Sequence, residues 1–125
     1  PVVNYPVMAK FARDVIGKEI GRENVCQYEP WMASESFGQY ISMWPGVFAF
    51  LGMKNPEKGI GAAHHNQNFD IDEDVLFKGR AASATYAIEF LKQGPDTKGM
   101  ARYNSFKDLL KFLEREKEIP ELYGE

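Results

Sequence analysis

Two adjacent histidines, His64 and His65, sit in the stretch Gly61-Ala62-Ala63-His64-His65-Asn66-Gln67-Asn68-Phe69-Asp70-Ile71-Asp72-Glu73-Asp74, and they are the only histidines in 125 residues. Imidazole is the commonest side-chain metal ligand and the group that titrates nearest neutral pH. Two histidines in a polar loop just ahead of a helix can therefore present a ring to a metal, or can be two solvated polar residues. Spacing alone leaves both open. A zinc site takes three or four protein ligands, and the chain has no His-x-x-x-His and only one cysteine.

Other chemistry-bearing patterns fail on geometry. Asp70, Asp72 and Asp74 begin like a calcium loop, but Val75 stands where that loop needs glycine and Ala81 where it needs glutamate. These acids are better read as residues placed at the positive end of a helix dipole. Gly59-x-Gly61 has no strand before it and no third glycine, so it is no dinucleotide loop. Cys26 has no basic neighbour to lower its pKa and reads as a small buried filler. Met32-Ala33-Ser34-Glu35-Ser36-Phe37 is either a capped helix start with Phe37 as a core anchor, or a turn that brings Glu35 to a cleft.

The elements that must position these residues can be read in outline. Asn4 and Pro6 open a first helix, which carries Val7, Met8, Phe11, Val15 and Ile16 and stops at Gly21. Val25–Tyr28 reads as a short strand. A second helix is capped by Ser34 and runs over Glu35–Met43, and Pro45-Gly46 ends it. Val47-Phe48-Ala49-Phe50-Leu51, apolar without alternation, reads as a strand buried on both faces. Residues 52–69 are loop. A third helix spans about Asp72–Lys92, with small residues Gly79, Ala81, Ala82, Ser83, Ala84 and Ala87 that allow close approach to a sheet. A fourth covers Ser105–Lys117, where Ser105 and Asp108 are spaced like a capping box. Residues 118–125 read as a frayed tail. Four helices and at most three strands make a thin α/β sheet, since sheets average about five or six strands, so the fold reads as part of something larger.

Composition narrows the class. The net charge of −3 with scattered basic residues disfavours nucleic acid, and no apolar stretch approaches a membrane span. The single cysteine fits a reducing, cytoplasmic compartment. The first residue is Pro1 rather than Met, which suggests processing or a piece of a longer chain.

Taken together, four segments resemble one enzyme family: Met32–Phe37; Pro45-Gly46-Val47-Phe48-Ala49-Phe50-Leu51-Gly52; Asn55-Pro56-Glu57-Lys58-Gly59; and His65-Asn66-Gln67-Asn68-Phe69-Asp70-Ile71-Asp72-Glu73. Their order and spacing are similar to the C-terminal part of the di-metal amidohydrolases and carboxypeptidases related to hippurate hydrolase, aminoacylase and the plant auxin-conjugate hydrolases. The resemblance runs from about Val2 to Leu91, and residues 94–125 resemble nothing placed. It implies a fold class of α/β type, the C-terminal portion of a catalytic domain with a mixed or parallel sheet flanked by helices. Residues 1–93 would form that segment and residues 94–125 a helical extension.

The resemblance also implies a site. His65 takes the position of the family's last metal-ligand histidine, and His64 falls where the family varies. Glu35, His64 and Asn66 become residues of the cleft or its surroundings. Gln67 replaces the usual proline, and Ser36 replaces the aspartate of a Glu-Asp-Phe pattern. The implied cofactor is a pair of divalent metals, zinc first, with manganese, cobalt or nickel as alternatives. In that mechanism two cations lower the pKa of a bridging water, a glutamate takes its proton, and an amide bond is cut. The base and the other ligands belong to the family's N-terminal half, so this chain carries no catalytic residue of its own and is expected to be inactive alone. Implied partners are that N-terminal half, on the same or a separate chain, and a small N-acyl amino acid or peptide substrate. A homo-oligomer is compatible with the family, and neither nucleic acid nor membrane is expected. The competing expectation is a non-catalytic binding or assembly module on the same scaffold, with Leu109, Leu110, Phe112 and Leu113 either as its contact surface or as cover for the core.

Overall fold

The computed structural model describes residues 2–33 and 35–113. Its elements are α1 (Pro6–Ile20), a 3-10 turn (Arg22–Asn24), α2 (Phe37–Met43), a second 3-10 turn (Pro56–Lys58), α3 (Val75–Gln93) and α4 (Phe106–Phe112). No described helix is long and apolar enough to cross a membrane.

The expected sheet is absent. Among the described residues there is no strand, and the one β-bridge joins Asn55 to Ile60. The fold class of a mixed or parallel sheet flanked by helices is therefore corrected to a helical arrangement linked by long loops. The reason lies in what a strand needs: backbone partners on a neighbouring strand. Phe48, in the run read as a buried strand, spends its backbone on a side chain instead. Its N–H donates to Asn4 Oδ1 at 2.7 Å and its C=O accepts from Asn4 Nδ2 at 2.8 Å. Phe50 and Leu51 of the same run are exposed. Val25–Tyr28 is likewise no strand, and Cys26, read as a buried filler, is exposed. Asn4 therefore does not cap α1; its amide is committed to Phe48.

The helices fall close to their expected places. Proline opens α1, where its missing N–H costs nothing. Gly21, at φ 90°, ends it in a conformation that L side chains rarely adopt. The start of α2 is held by Glu35, whose Oε1 accepts from the Phe37 N–H at 2.9 Å; Ser34, the expected cap, lies outside the described residues. At α4, Ser105 Oγ accepts from the Asp108 N–H at 3.1 Å and donates to Asp108 Oδ2 at 2.7 Å, a reciprocal cap in line with the spacing of the two residues. The expected continuation of α4 beyond residue 113, and the tail, lie outside the described residues.

The chain divides into two compact units. One comprises Pro1–Ala9, Glu29–Phe48 and Pro95–Glu125. Its buried side chains include Met8, Ile41, Leu109 and Leu110, and α2 contacts α4. Ser42 C=O accepts from both the Arg102 and Tyr103 N–H groups, tying the end of α2 to the segment before α4. Gln39, Tyr40, Met43, Trp44, Phe106 and Leu109 line a shallow apolar groove of about 210 Å³.

The other unit comprises Lys10–Tyr28 and Ala49–Gly94. Ala12 and Val15 are buried along α1, and the Phe11 ring meets Tyr86 and Phe90 of α3 edge-on at centroid distances of 5.9 and 6.2 Å. Burial pushes the Tyr86 phenol above its ordinary pKa. Gly79 lets Leu51 lie directly on α3, since a Cβ there would fall 2.7 Å from Leu51 Cδ2. Of the small residues of α3, Gly79 thus serves close approach, with a loop side chain where a sheet was expected.

Candidate functional site: the histidine loop

The loop that carries the histidines is closed at its base by a buried carboxylate. Asp72 is one of the few polar side chains that is buried, and its charge needs partners there. Asn55 Nδ2 donates to its Oδ2 at 2.6 Å, and Lys58 Nζ donates to its Oδ1 at 2.6 Å. The Asp74 N–H adds a longer bond to Oδ1 at 3.3 Å, and Lys58 also reaches Asp74 Oδ2. The Asp72 N–H in turn donates to Met53 C=O at 3.0 Å. Hydrogen bonds from Asn55 and then Lys58 hold the Asp72 carboxyl below the usual carboxylate range. The two carboxylates raise the Lys58 ammonium in the same way, Asp72 the more strongly.

The near side of this clasp is shaped by the Asn-Pro-Glu-Lys-Gly segment. Asn55 Oδ1 accepts from the Glu57 N–H at 3.1 Å, Pro56 starts the 3-10 turn, and Gly59 closes it at φ 74°. Two backbone bonds of 2.9 Å between Asn55 and Ile60 then pin the turn. Lys58 is thereby carried to Asp72 by a turn whose residues each have a conformational reason to be there.

Within the loop that the clasp closes, the histidines occupy an exposed turn. His65 has φ 61°, and it is the one non-glycine residue with positive φ among the described residues. Left-handed backbone is uncommon outside glycine, with histidine among the types that visit it more readily. The turn is braced on its far side. Asn66 Oδ1 accepts from the Asn68 N–H at 2.9 Å, Asn66 C=O accepts from the Phe69 N–H at 2.9 Å, and the His64 ring lies 5.3 Å from the Phe69 ring. His64 thus leans back on its own loop, while His65 stands at the turn itself.

His64, His65 and Asn66 are neighbours in this turn. Glu35 lies in the other unit, with a carboxylate oxygen accepting from the Phe37 N–H. Among the described residues no three or more His, Cys, Asp or Glu side chains are grouped to hold a metal ion. Asp72 was read from the sequence as a helix-dipole residue; its role in the clasp was missed. The signal was present in Asn55 and Lys58, which the sequence places in the same resembling pattern but which only a folded turn brings to Asp72.

No family model matches the chain, and no solved structure does. Curated proteins do. The chain is 34% identical over 91 residues to IAA-amino acid hydrolase ILR1-like 4 of Arabidopsis thaliana, covering 73% of this chain and 21% of that protein. It is 39% identical over 66 residues to thermostable carboxypeptidase 2 of Saccharolobus solfataricus, covering 53% and 17%. It is 33% identical over 98 residues to N-acetyldiaminopimelate deacetylase of Lactococcus lactis, covering 78% and 22%. Over this segment the chain is similar to amidohydrolases and carboxypeptidases, which is consistent with a piece of such an enzyme. A 91-residue match within 125 residues must include residues 35–91, whichever end is left over, so the clasp and both histidines lie in the similar segment. The chain spans about a fifth of the length of the curated relatives it matches.

Proposed function

We propose that this chain supplies the histidine loop of a metal-dependent amidohydrolase that cuts the amide bond of N-acyl amino acids or small peptides. The observation that carries this reading is His65, exposed on a left-handed turn whose base is clasped at Asp72, within a segment similar to amidohydrolases and carboxypeptidases. The reading places one ligand here and the remaining ligands and the base in residues outside this chain, which agrees with the chain's share of its relatives' length. The partner in this reading is the amino-terminal part of the enzyme, and the lone cysteine is what supports a reducing, cytoplasmic setting.

The chain's own residues have definable parts. His65 offers an imidazole nitrogen, and the braced turn limits how far that nitrogen wanders. The clasp of Asn55, Lys58 and Asp72 keeps the two ends of the loop together, so the ring is presented at little entropic cost. Asn66 Oδ1 accepts from the turn, which makes Asn66 a shaping residue of the loop. A divalent metal such as zinc, when bound, would polarise the scissile carbonyl and acidify water.

The test is a hydrolysis assay with an N-acyl amino acid, run on this chain alone and on this chain mixed with the part of ILR1-like 4 outside the similar segment. The chain alone should be inactive. The mixture should turn over, with His65→Ala lowering kcat/KM by at least about 100-fold, more than loss of an outer-shell partner costs, and His64→Ala changing it little. Turnover and tight stoichiometric metal on the chain alone would sink the proposal.

A further inference from the structure

We propose that Lys10 and Arg13 of α1, with Arg22 of the 3-10 turn that follows it, form a binding site for a phosphate group; the inference stands apart from the histidine loop. Lys10, Arg13, Asp14 and Gly17 are separated by steps of three and four residues, which puts them on one face of α1. Arg22 joins that face from the turn, and the four charged side chains with Val25 line an open pocket of about 320 Å³. Gly17 makes this closure possible. A Cβ there would fall 3.2 Å from Arg22 Cγ, so the arginine stem folds back along the helix in the space a side chain would take. Glycine is a poor helix former, and close approach is what its place in α1 provides. Asp14 braces the cluster: its Oδ2 accepts from Lys10 Nζ at 2.7 Å, and its Oδ1 lies 3.8 Å from Arg22 Nη1. One carboxylate thus fixes where an ammonium and a guanidinium stand.

The charge of the pocket selects the ligand. Three positive side chains and one negative leave an excess of two positive charges, in a chain whose net charge is −3. The Arg13 guanidinium has no ion pair or hydrogen bond among the described residues. The neighbouring charges do not cancel the excess. Lys18 acts on both Asp14 and Glu89 of α3. Glu19 is nine residues from Lys10, on the opposite side of the helix. Glu23 accepts from Asn24 Nδ2 at 3.4 Å and lies over Gly21. Among the described residues neither glutamate lines the pocket. A monocarboxylate would leave one cation uncompensated, whereas a phosphate group near neutral pH carries about two negative charges. Each guanidinium offers a planar fork of N–H donors that matches two phosphate oxygens, and Lys10 keeps two N–H donors beyond the one given to Asp14. The three basic side chains are exposed, so the ligand reaches them from solvent and salt weakens its hold.

The experiment titrates the full chain with inorganic phosphate at pH 8 and constant ionic strength, following backbone amide shifts by NMR. Wild type should show saturable shifts centred on residues 10–25, and acetate should bind at least fivefold more weakly. Arg13→Gln/Arg22→Gln should weaken phosphate at least tenfold, while Lys78→Gln, which removes an exposed cation of α3, should match wild type. Gly17→Leu keeps every charge but fills the space under the Arg22 stem, and should weaken phosphate at least threefold. Circular dichroism checks that each variant keeps its helix signal; should Gly17→Leu lose it, the double variant decides. A parallel titration with methyl phosphate identifies the source: tighter binding than inorganic phosphate points to an esterified ligand, equal or weaker binding to the free ion, and either supports the site. Shifts that do not saturate, acetate binding as well as phosphate, or an unchanged response in the double variant or in a folded Gly17→Leu would each overturn the inference. None of these outcomes bears on the histidine loop.

Discussion

Lys58 and Asp72, fourteen residues apart, meet through a 2.6 Å bond from Nζ to Oδ1, and the loop between them contains both histidines of the chain. The carboxylate is buried and the lysine half in solvent, so the pair closes the loop at a protected point with an accessible cation. Asn55 occupies the other carboxylate oxygen, which leaves the charge satisfied from two sides.

This pairing predicts how the loop responds to pH. The Asp72 pKa is lowered in the folded chain, chiefly by the Asn55 and Lys58 hydrogen bonds, so its contribution is complete above about pH 4, the unfolded value, and is lost as pH falls below that. The Lys58 pKa is raised, chiefly by Asp72, so its contribution is complete below about pH 10.4 and fades as pH rises beyond it. Thermal midpoints measured from pH 3 to 11 should therefore show a plateau with an acid limb and an alkaline limb. Asp72→Asn should flatten the acid limb, and Lys58→Met the alkaline one. An acid limb unchanged in Asp72→Asn would show that other carboxylates set it.

The backbone of His65 makes a second prediction. At φ 61° a side chain with Cβ is strained, and a β-branched one more so. His65→Val should destabilise the chain by about 1–2 kcal/mol, whereas His65→Gly should stay within about 1 kcal/mol of wild type because glycine adopts this conformation freely. Urea denaturation followed by circular dichroism distinguishes them. Equal losses in both variants would mean that the ring, not the backbone, matters for stability.

Burial separates two leucines that the sequence presents alike. Leu110 is 1% exposed on α4, and Leu91 is 85% exposed on α3. Leu110→Ala should cost about 2–5 kcal/mol, the range for emptying a core leucine site. Leu91→Ala should stay within about 0.5 kcal/mol, as an exposed position does. The same urea titrations decide this. A large loss at Leu91 in the isolated chain would show that its side chain is covered in solution.

How far the molecule was legible in advance varied with the range of the interaction. Three helices were read close to their limits, and the fourth close to its start, because caps, prolines and apolar periodicity act within a turn or two of the chain; Pro6 and Gly21 at the two ends of α1 and Ser105 with Asp108 at the start of α4 are local devices. The family was legible because its motifs keep order and spacing in one dimension. The sheet was misread for the opposite reason. Val47–Leu51 has the composition of a buried strand, but a strand is defined by a neighbour's backbone, and in this chain the neighbour of Phe48 is the side chain of Asn4, 44 residues away.

The sequence by itself therefore determined where the helices begin, where the first three end, and which loop bears His64 and His65. Tertiary structure alone decided what those residues meet. It made Asp72 the base of a clasp rather than a dipole residue, set Cys26 in solvent, turned His64 back on Phe69, and left Phe77 and Leu91 of α3 exposed. Each of these depends on which residues distant in sequence share a contact, and periodicity along one chain holds no information about that.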